Sequence, residues 1–110
     1  MILPVKLDFT VTPEADHIKV VYHMPVVPDG ERHDYQVLSF WSQTPVDHVE
    51  LRIYYDKDTW FAFESRRNTV GWITVPVGFT LTAGMWVGMN VKAAANTLCY
   101  VRAHVVVEAV

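Results

Sequence analysis

Alternation is the feature that most constrains this chain. Val5, Leu7, Phe9 and Val11 are separated by Lys6, Asp8 and Thr10. Val49, Leu51, Ile53 and Tyr55 are separated by Glu50, Arg52 and Tyr54, and Cys99, Val101, Ala103, Val105 and Val107 by Tyr100, Arg102, His104 and Val106. A period of two belongs to a strand with one face buried. Ile18, Val20, Tyr22 and Met24 repeat the pattern, as do Val87, Met89, Val91 and Ala93. Residues 35–42 alternate less cleanly, with Val37-Leu38 and Phe40-Trp41 adjacent, and read as covered on both faces.

Turn chemistry punctuates these runs. Thr12-Pro13, Pro28-Asp29-Gly30, Pro45, Asp56-Lys57-Asp58, Arg66-Arg67-Asn68, Pro76 and Ala83-Gly84 all interrupt alternation. Proline removes a ladder donor and glycine admits positive φ. The spacing predicts eight to nine short strands in an all-β fold, a two-sheet antiparallel β-sandwich of jelly-roll or Greek-key type. Residues 1–110 form a single domain, with no linker or low-complexity segment. Residues 12–20 echo 44–51, which recurrent turn-then-strand chemistry explains.

Composition narrows the class of function. Of 110 residues, 51% are hydrophobic and only 19% charged, more apolar than the usual soluble domain. Disorder is excluded by that balance. Nine Lys and Arg against twelve Asp and Glu, with no basic run, argue against nucleic acid as a partner. No apolar run is long enough for a membrane-spanning helix, and no membrane partner is expected. The start, Met1-Ile2-Leu3-Pro4-Val5-Lys6, is expected to carry no signal peptide. A small apolar domain is expected to cover surface with another copy of itself or with a partner.

Catalytic and metal chemistry find little support, so no catalytic residues, no metal and no cofactor are expected. Three of the five histidines sit beside aspartate (Asp16-His17, His33-Asp34, Asp47-His48), but neighbouring strand residues point to opposite faces and do not chelate together. His17 and His23 share a face at a separation of about 20 Å at strand rise. Ser39, Ser42 and Ser65 lie in no nucleophile elbow. Cys99 falls on the apolar side of its strand and reads as core. Asp56 and Asp58 flank a turn, where charge is ordinary. The chain is not expected to be an enzyme.

The aromatic residues are in excess: four Trp, five Tyr and five Phe. Phe9, Phe40, Phe61, Phe63 and Phe79 read as core. Trp60, Trp72 and Trp86 lie out of phase with the apolar side of their strands. With Tyr54 they are the candidate interface or sugar-stacking residues. Trp41 belongs to the same set of exposed-platform candidates. Val106, Val107 and Val110, in an apolar C-terminal run without a polar tail, are the candidate oligomer contact.

The segment Val77-Gly78-Phe79-Thr80-Leu81-Thr82-Ala83-Gly84-Met85-Trp86-Val87-Gly88-Met89-Asn90-Val91 has a short strand, an Ala-Gly turn and a long strand. With the closing Val105-Val106-Val107-Glu108-Ala109-Val110, this cadence resembles small all-β phage and viral capsid decoration, or cement, proteins. The resemblance spans the architecture of the whole chain and carries over no binding residue. It implies a non-enzymatic structural protein of a virion, made in the host cytoplasm and placed on the capsid surface. It further implies a homo-oligomer, a trimer by analogy, with a major capsid protein or other virion protein as partner. The alternative is a carbohydrate-binding module or lectin-like sandwich using exposed Trp and Tyr.

Overall fold

A computed structural model describes the backbone of residues 2–11, 19–94 and 96–110, and the side chains from residue 23 onward except residue 95. The echo at 12–20 and His17 therefore lie outside the described residues or their described side chains, as does the Phe9 ring. Six strands are traced: β1 (Ile2–Val11), β2 (Lys19–His23), β3 (Glu31–Asp56), β4 (Thr59–Leu81), β5 (Trp86–Ala93) and β6 (Cys99–Ala109). Side chains are described throughout four of them, β3 to β6. No helix occurs among the described residues. All pairings are antiparallel. Among the described residues the hydrogen-bonded order is β1-β6-β3-β5-β2, and β4 pairs with β3 alone.

The fold is all-β and antiparallel, as the alternation implies, but the expected eight to nine strands are fewer and longer. Pro45 and Pro76 read as stops and are not. Gln43, Thr44 and Pro45 have no ladder partner, because the register of β3 shifts between Ser42 and Val46. Pro76 stands opposite Val37 at a second shift. A bulge leaves the proline without a donor to supply, so the strand continues past it. Arg66 and Arg67 pair with Val49 and His48 rather than forming a turn. Hydrogen bonding joins the strands into one sheet instead of two separate ones.

That sheet turns over on itself. Extended at roughly 3.3 Å per residue, the 26 residues of β3 would reach about 85 Å, whereas the longest dimension of the molecule is 42 Å. The bend falls at residues 43–45. β4 bends beside it, where Asn68 (φ 54°) and Gly71 (φ 72°) adopt left-handed backbone and Thr69 and Gly71 face Val46 and Ser42. The first half of β3 lies between β6 and β4. The second half lies between β5 and β4.

Both halves feed one core. Leu38 and Phe40 from the first half, Val49, Leu51 and Ile53 from the second, Val87, Met89 and Val91 from β5 and Val101, Ala103 and Val105 from β6 are almost fully buried in a single cluster. Phe40 sits at its centre as expected, while Phe61, Phe63 and Phe79 are half-buried against its rim. Tyr55 departs from expectation. It is 52% exposed, because a register shift between Tyr54 and Asp56 ends the alternation one residue early. Residues 35–42 are fully covered on one face only: Tyr35, Leu38, Phe40 and Ser42 are buried, and Val37, Ser39 and Trp41 half-buried. The C-terminal run is not an edge, since β6 pairs with β1 on one side and β3 on the other.

Candidate functional site

The residues that alternate with the core face outward, and among them register assembles two aromatic rows. In the second half of β3, Tyr54 stands opposite Trp86 of β5 and opposite Trp60 of β4. In the first half, Trp41 stands opposite Tyr100 of β6 and opposite Trp72 of β4. Each row crosses three strands at the same level. Each has an arginine two residues away along one strand: Arg52 beside Tyr54, and Arg102 beside Tyr100.

The first row is closed by its own side chains. Tyr54 and Trp86 stack with ring centroids 5.2 Å apart and planes 8° from parallel. The Arg52 guanidinium lies 3.7 Å from the centre of the Trp60 ring. Its Nε donates to Glu50 Oε1 at 2.6 Å and its Nη1 to the Tyr54 hydroxyl at 2.9 Å. Arg52 lies level with Ala62 and Gly88, which carry a methyl group and no side chain respectively. Burial pulls the Arg52 pKa down, but the hydrogen bonds to Tyr54 and Glu50 outweigh it, and the group stays charged. Only 6% of Tyr54 is exposed. His23 completes the row, its ring 6.0 Å from Trp86.

The second row is open. Trp72 is 53% exposed and meets Tyr100 edge to face, centroids 5.9 Å apart at 86°. Their strands are two places apart in the sheet, about 10 Å at the usual spacing, so the two rings lean together above half-buried Trp41. Arg102 lies 5.6 Å from the Tyr100 ring centre, too far for the flat contact that Arg52 makes. Exposed Val70 and Leu98 flank the same end of this half, beside the bend of β3. Gln43 there donates its amide to the Leu98 carbonyl at 2.9 Å.

Trp60, Trp86 and Tyr54 are thus brought together, and Trp72 belongs to the other row. Tyr100 was missed by sequence reasoning. It shares its strand face with Arg102 and His104, and only its register against Trp41 gives it aromatic neighbours. The three valines of the C-terminus do not form one patch. Val106 lines a groove of 360 Å³ with Arg32, Asp34, Thr80 and Glu108. Val107 packs against the core, and Val110 is 82% exposed, its amide bonded to the Gly30 carbonyl at 2.8 Å.

Reactive groups are dispersed. His23 Nδ1 meets the Met24 carbonyl, His33 Nε2 meets Glu31 at 3.1 Å, and His48 Nε2 meets the Ser65 hydroxyl at 2.8 Å. No cluster of three metal-ligating side chains occurs among the described residues. Cys99 is fully buried, and burial pushes its thiol up to about 11, so it is protonated and unreactive at neutral pH. Tyr35 is also fully buried, with no partner for its hydroxyl among the described residues, and burial raises its pKa far above the ordinary value.

No family model matches the chain, and no curated protein matches it in sequence. Solved structures do resemble it in fold. A Bacillus endospore appendage protein, from a family of disulfide-linked pili, is 16% identical with a TM-score of 0.57, over 99% of this chain and 88% of that one. The infectious bursal disease virus structure is 8% identical at 0.45, over 96% of this chain and 31% of that one. The globular domain of a zebrafish complement 1qA protein is 13% identical at 0.39, over 93% and 94%. At 16% identity the likeness to the endospore appendage protein is one of fold.

Proposed function

We propose that this protein is a non-enzymatic structural subunit that assembles with copies of itself, and that the assembly is a virion surface on which it serves as a decoration or cement protein. In this reading the folded-over sheet works as a jelly-roll sandwich. Its layers are β1-β6-β3-β4 and β2-β5-β3-β4, with the two halves of β3 and β4 divided between them.

The observation that carries the proposal is where the exposed apolar surface lies. Among the described residues β4 pairs only with β3, and it bears Trp60, Val70 and Trp72, each more than two-fifths exposed. A long edge strand with large apolar side chains is surface that a neighbouring copy covers. The Bacillus fold relative belongs to disulfide-linked pili. These 110 residues hold one cysteine, which is buried, so the assembly proposed here is one of non-covalent contact.

The ring geometry weighs against the carbohydrate-binding alternative. A sugar stacks on an outward ring face. Tyr54 and Trp86 turn faces toward each other and Trp60 has one face under Arg52, so that row offers a sugar few free faces.

Sedimentation of the purified chain over a concentration series, alongside a screen of immobilised polysaccharides, tests the reading. The expected result is a discrete homo-oligomer with no retention on glycan. A monomer at every concentration overturns the assembly, and a monomer retained on a polysaccharide establishes the alternative. Co-sedimentation with capsids lacking the protein then tests the virion partner.

A further inference from the structure

One level of the sheet gathers positive charge that the chain does not neutralise. Arg67 of β4, His48 of β3 and Lys92 of β5 stand directly opposite one another across three adjacent strands. Lys19 of β2 stands opposite Lys92, so the register extends the level to a fourth strand. The whole chain carries a formal net charge of −3, and this level is a local reversal of sign. We propose that Arg67, His48 and Lys92 form a binding site for one tetrahedral oxyanion, a phosphate or sulfate group, free or as a terminal ester. The inference does not depend on the assembly reading.

The three side chains share a face. Val49 and Leu51 are in the core, so His48 lies with Glu50 and Arg52 on the outer side of β3. Residues directly opposite in antiparallel strands point the same way, with Cβ atoms about 5 Å apart. Arg67 and Lys92 therefore start about 10 Å from each other, one on each side of His48. Both are exposed, and their long side chains can close on one anion above the imidazole.

These cations differ from the others in having no partner. Arg32, Arg52 and Arg66 are paired with Glu108, Glu50 and Glu64, and Arg102 is engaged with Tyr100. Arg67 and Lys92 have no such bond among the described residues. The acids nearest them are committed elsewhere. Glu50 accepts from Arg52 at 2.6 Å, Glu64 accepts from Arg66 at 3.1 Å, and half-buried Asp47 has a contact of its own.

His48 adds a directed donor. Its Nε2 lies 2.8 Å from the Ser65 hydroxyl, and its Nδ1 has no partner among the described residues. When the hydroxyl donates to Nε2, the ring proton sits on Nδ1 and is available to an anion oxygen. A guanidinium offers a planar fork and an ammonium a point charge, and both hold phosphate-type oxygens.

The surroundings limit the ligand to one charged group. Glu50 occupies the next level on one side, and the bend with uncharged Gln43, Thr44 and Pro45 lies on the other. A second phosphate along the strand would meet the Glu50 carboxylate, so a nucleic-acid backbone finds no continuous track.

Calorimetric titration of the full chain with sodium phosphate, sodium sulfate, glycerol 3-phosphate and sodium chloride, at matched ionic strength, tests the site. Saturable binding of the three oxyanions and none of chloride is expected. The order of phosphate and glycerol 3-phosphate identifies the source: a tighter ester assigns the site to an esterified group, a tighter free ion to the ion itself, and either supports it. Arg67→Gln and Lys92→Gln should each weaken binding by about tenfold or more, as for loss of a charged hydrogen-bond donor. Arg66→Gln, which removes the neighbouring cation already bonded to Glu64, is the control and should leave affinity unchanged. All three replaced side chains are exposed, and circular dichroism checks that each variant folds. Chloride acting as phosphate does, or Arg66→Gln weakening binding as much as Arg67→Gln, means diffuse surface charge and overturns the site. An oligonucleotide bound far more tightly than glycerol 3-phosphate overturns the limit to one group.

Discussion

On the half of β3 that ends at Asp56, an arginine lies flat beneath a tryptophan and bonds to the carboxylate and the phenol on either side of it along the strand. On the half that begins at Glu31, three aromatic rings occupy the equivalent level, and the Arg102 guanidinium lies 5.6 Å from the centre of the Tyr100 ring. The two halves share strands β3 and β4 and one core. They differ in where the arginine stands. Arg52 is on the central strand, between Ala62 and Gly88, and reaches Trp60. Arg102 is on β6, on the side of Trp41 away from Trp72. Similar aromatic content therefore gives different exposure in the two halves, with Tyr54 6% and Trp60 43% exposed in one and Trp72 53% in the other.

The largest test of this comparison concerns what the halves have in common. Phe40→Ala in the first half should destabilise by about 3–5 kcal/mol, and Ile53→Ala in the second by about 2–5 kcal/mol. Both side chains are almost fully buried in the same cluster. Each variant should still unfold in a single transition, followed by tryptophan fluorescence and circular dichroism together. Two transitions in either variant would show that the halves are separate units and that the comparison is between two domains rather than two faces of one.

The next test separates stability from assembly. Arg52→Ala strips the cover from Trp60 and leaves Glu50 and Tyr54 without their donor. It should lower stability by about 1–3 kcal/mol in denaturant titration. Trp72→Ala removes a half-exposed ring and should change monomer stability by less than about 1 kcal/mol, while weakening self-association. If the two losses came out in the opposite order, the labels closed and open would be exchanged.

Much of this was legible in the sequence, and the physics says where reading stopped. Period-two alternation identifies the core side of β5 and β6 residue by residue: Val87, Met89, Val91 and Ala93, then Cys99, Val101, Ala103 and Val105, are all buried. It also places Val49, Leu51 and Ile53. It fails at Tyr55, Pro45 and Pro76, where bulges reset the phase. A proline leaves the same trace in sequence whether it ends a strand or sits in a bulge, since in both cases it has no ladder donor to give. The aromatic rows were half legible. Phase marks Trp60, Trp72, Trp86 and Tyr54 as outward or unusual, but their grouping depends on register between distant segments. Trp41 meets Trp72 across 31 positions and Tyr100 across 59, and no local pattern records that. Nor does any local pattern show that β6 lies inside the sheet rather than at its edge.

A finer test uses two tyrosines. The Tyr54 hydroxyl accepts from Arg52, whereas the Tyr35 hydroxyl is buried without a partner. Tyr54→Phe should cost about 1 kcal/mol, the net value of a hydrogen bond with a charged donor falling at or above that. Tyr35→Phe should be neutral or stabilising, because it removes a buried group that loses its water on folding and gains nothing. Equal losses in chemical denaturation would mean that the Tyr35 hydroxyl has a partner after all, such as an ordered water.

The smallest expected effect comes from two ion pairs of equal length. Arg52 Nε meets Glu50 at 2.6 Å and Arg32 Nη2 meets Glu108 at 2.6 Å. The first pair is mostly buried. In the second, the side chains are 42% and 39% exposed. The Arg32 guanidinium holds the Glu108 carboxyl below its usual value, through hydrogen bonding first and charge second. A carboxyl depressed in the folded state adds stability above its unfolded pKa and loses it as pH falls through the folded one. That contribution is therefore present at neutral pH and disappears only under acid, below about 4.5, the ordinary range for glutamate. Solvent and salt screen an exposed pair, so Glu108→Gln should shift the unfolding midpoint within error at neutral pH and flatten only the acid limb of the stability curve. Glu50→Gln should lower the midpoint measurably at neutral pH, because it leaves the covered Arg52 without its carboxylate. Equal shifts for the two variants would mean that bond length rather than burial sets the strength of these pairs, and that the cover over Trp60 contributes nothing of its own.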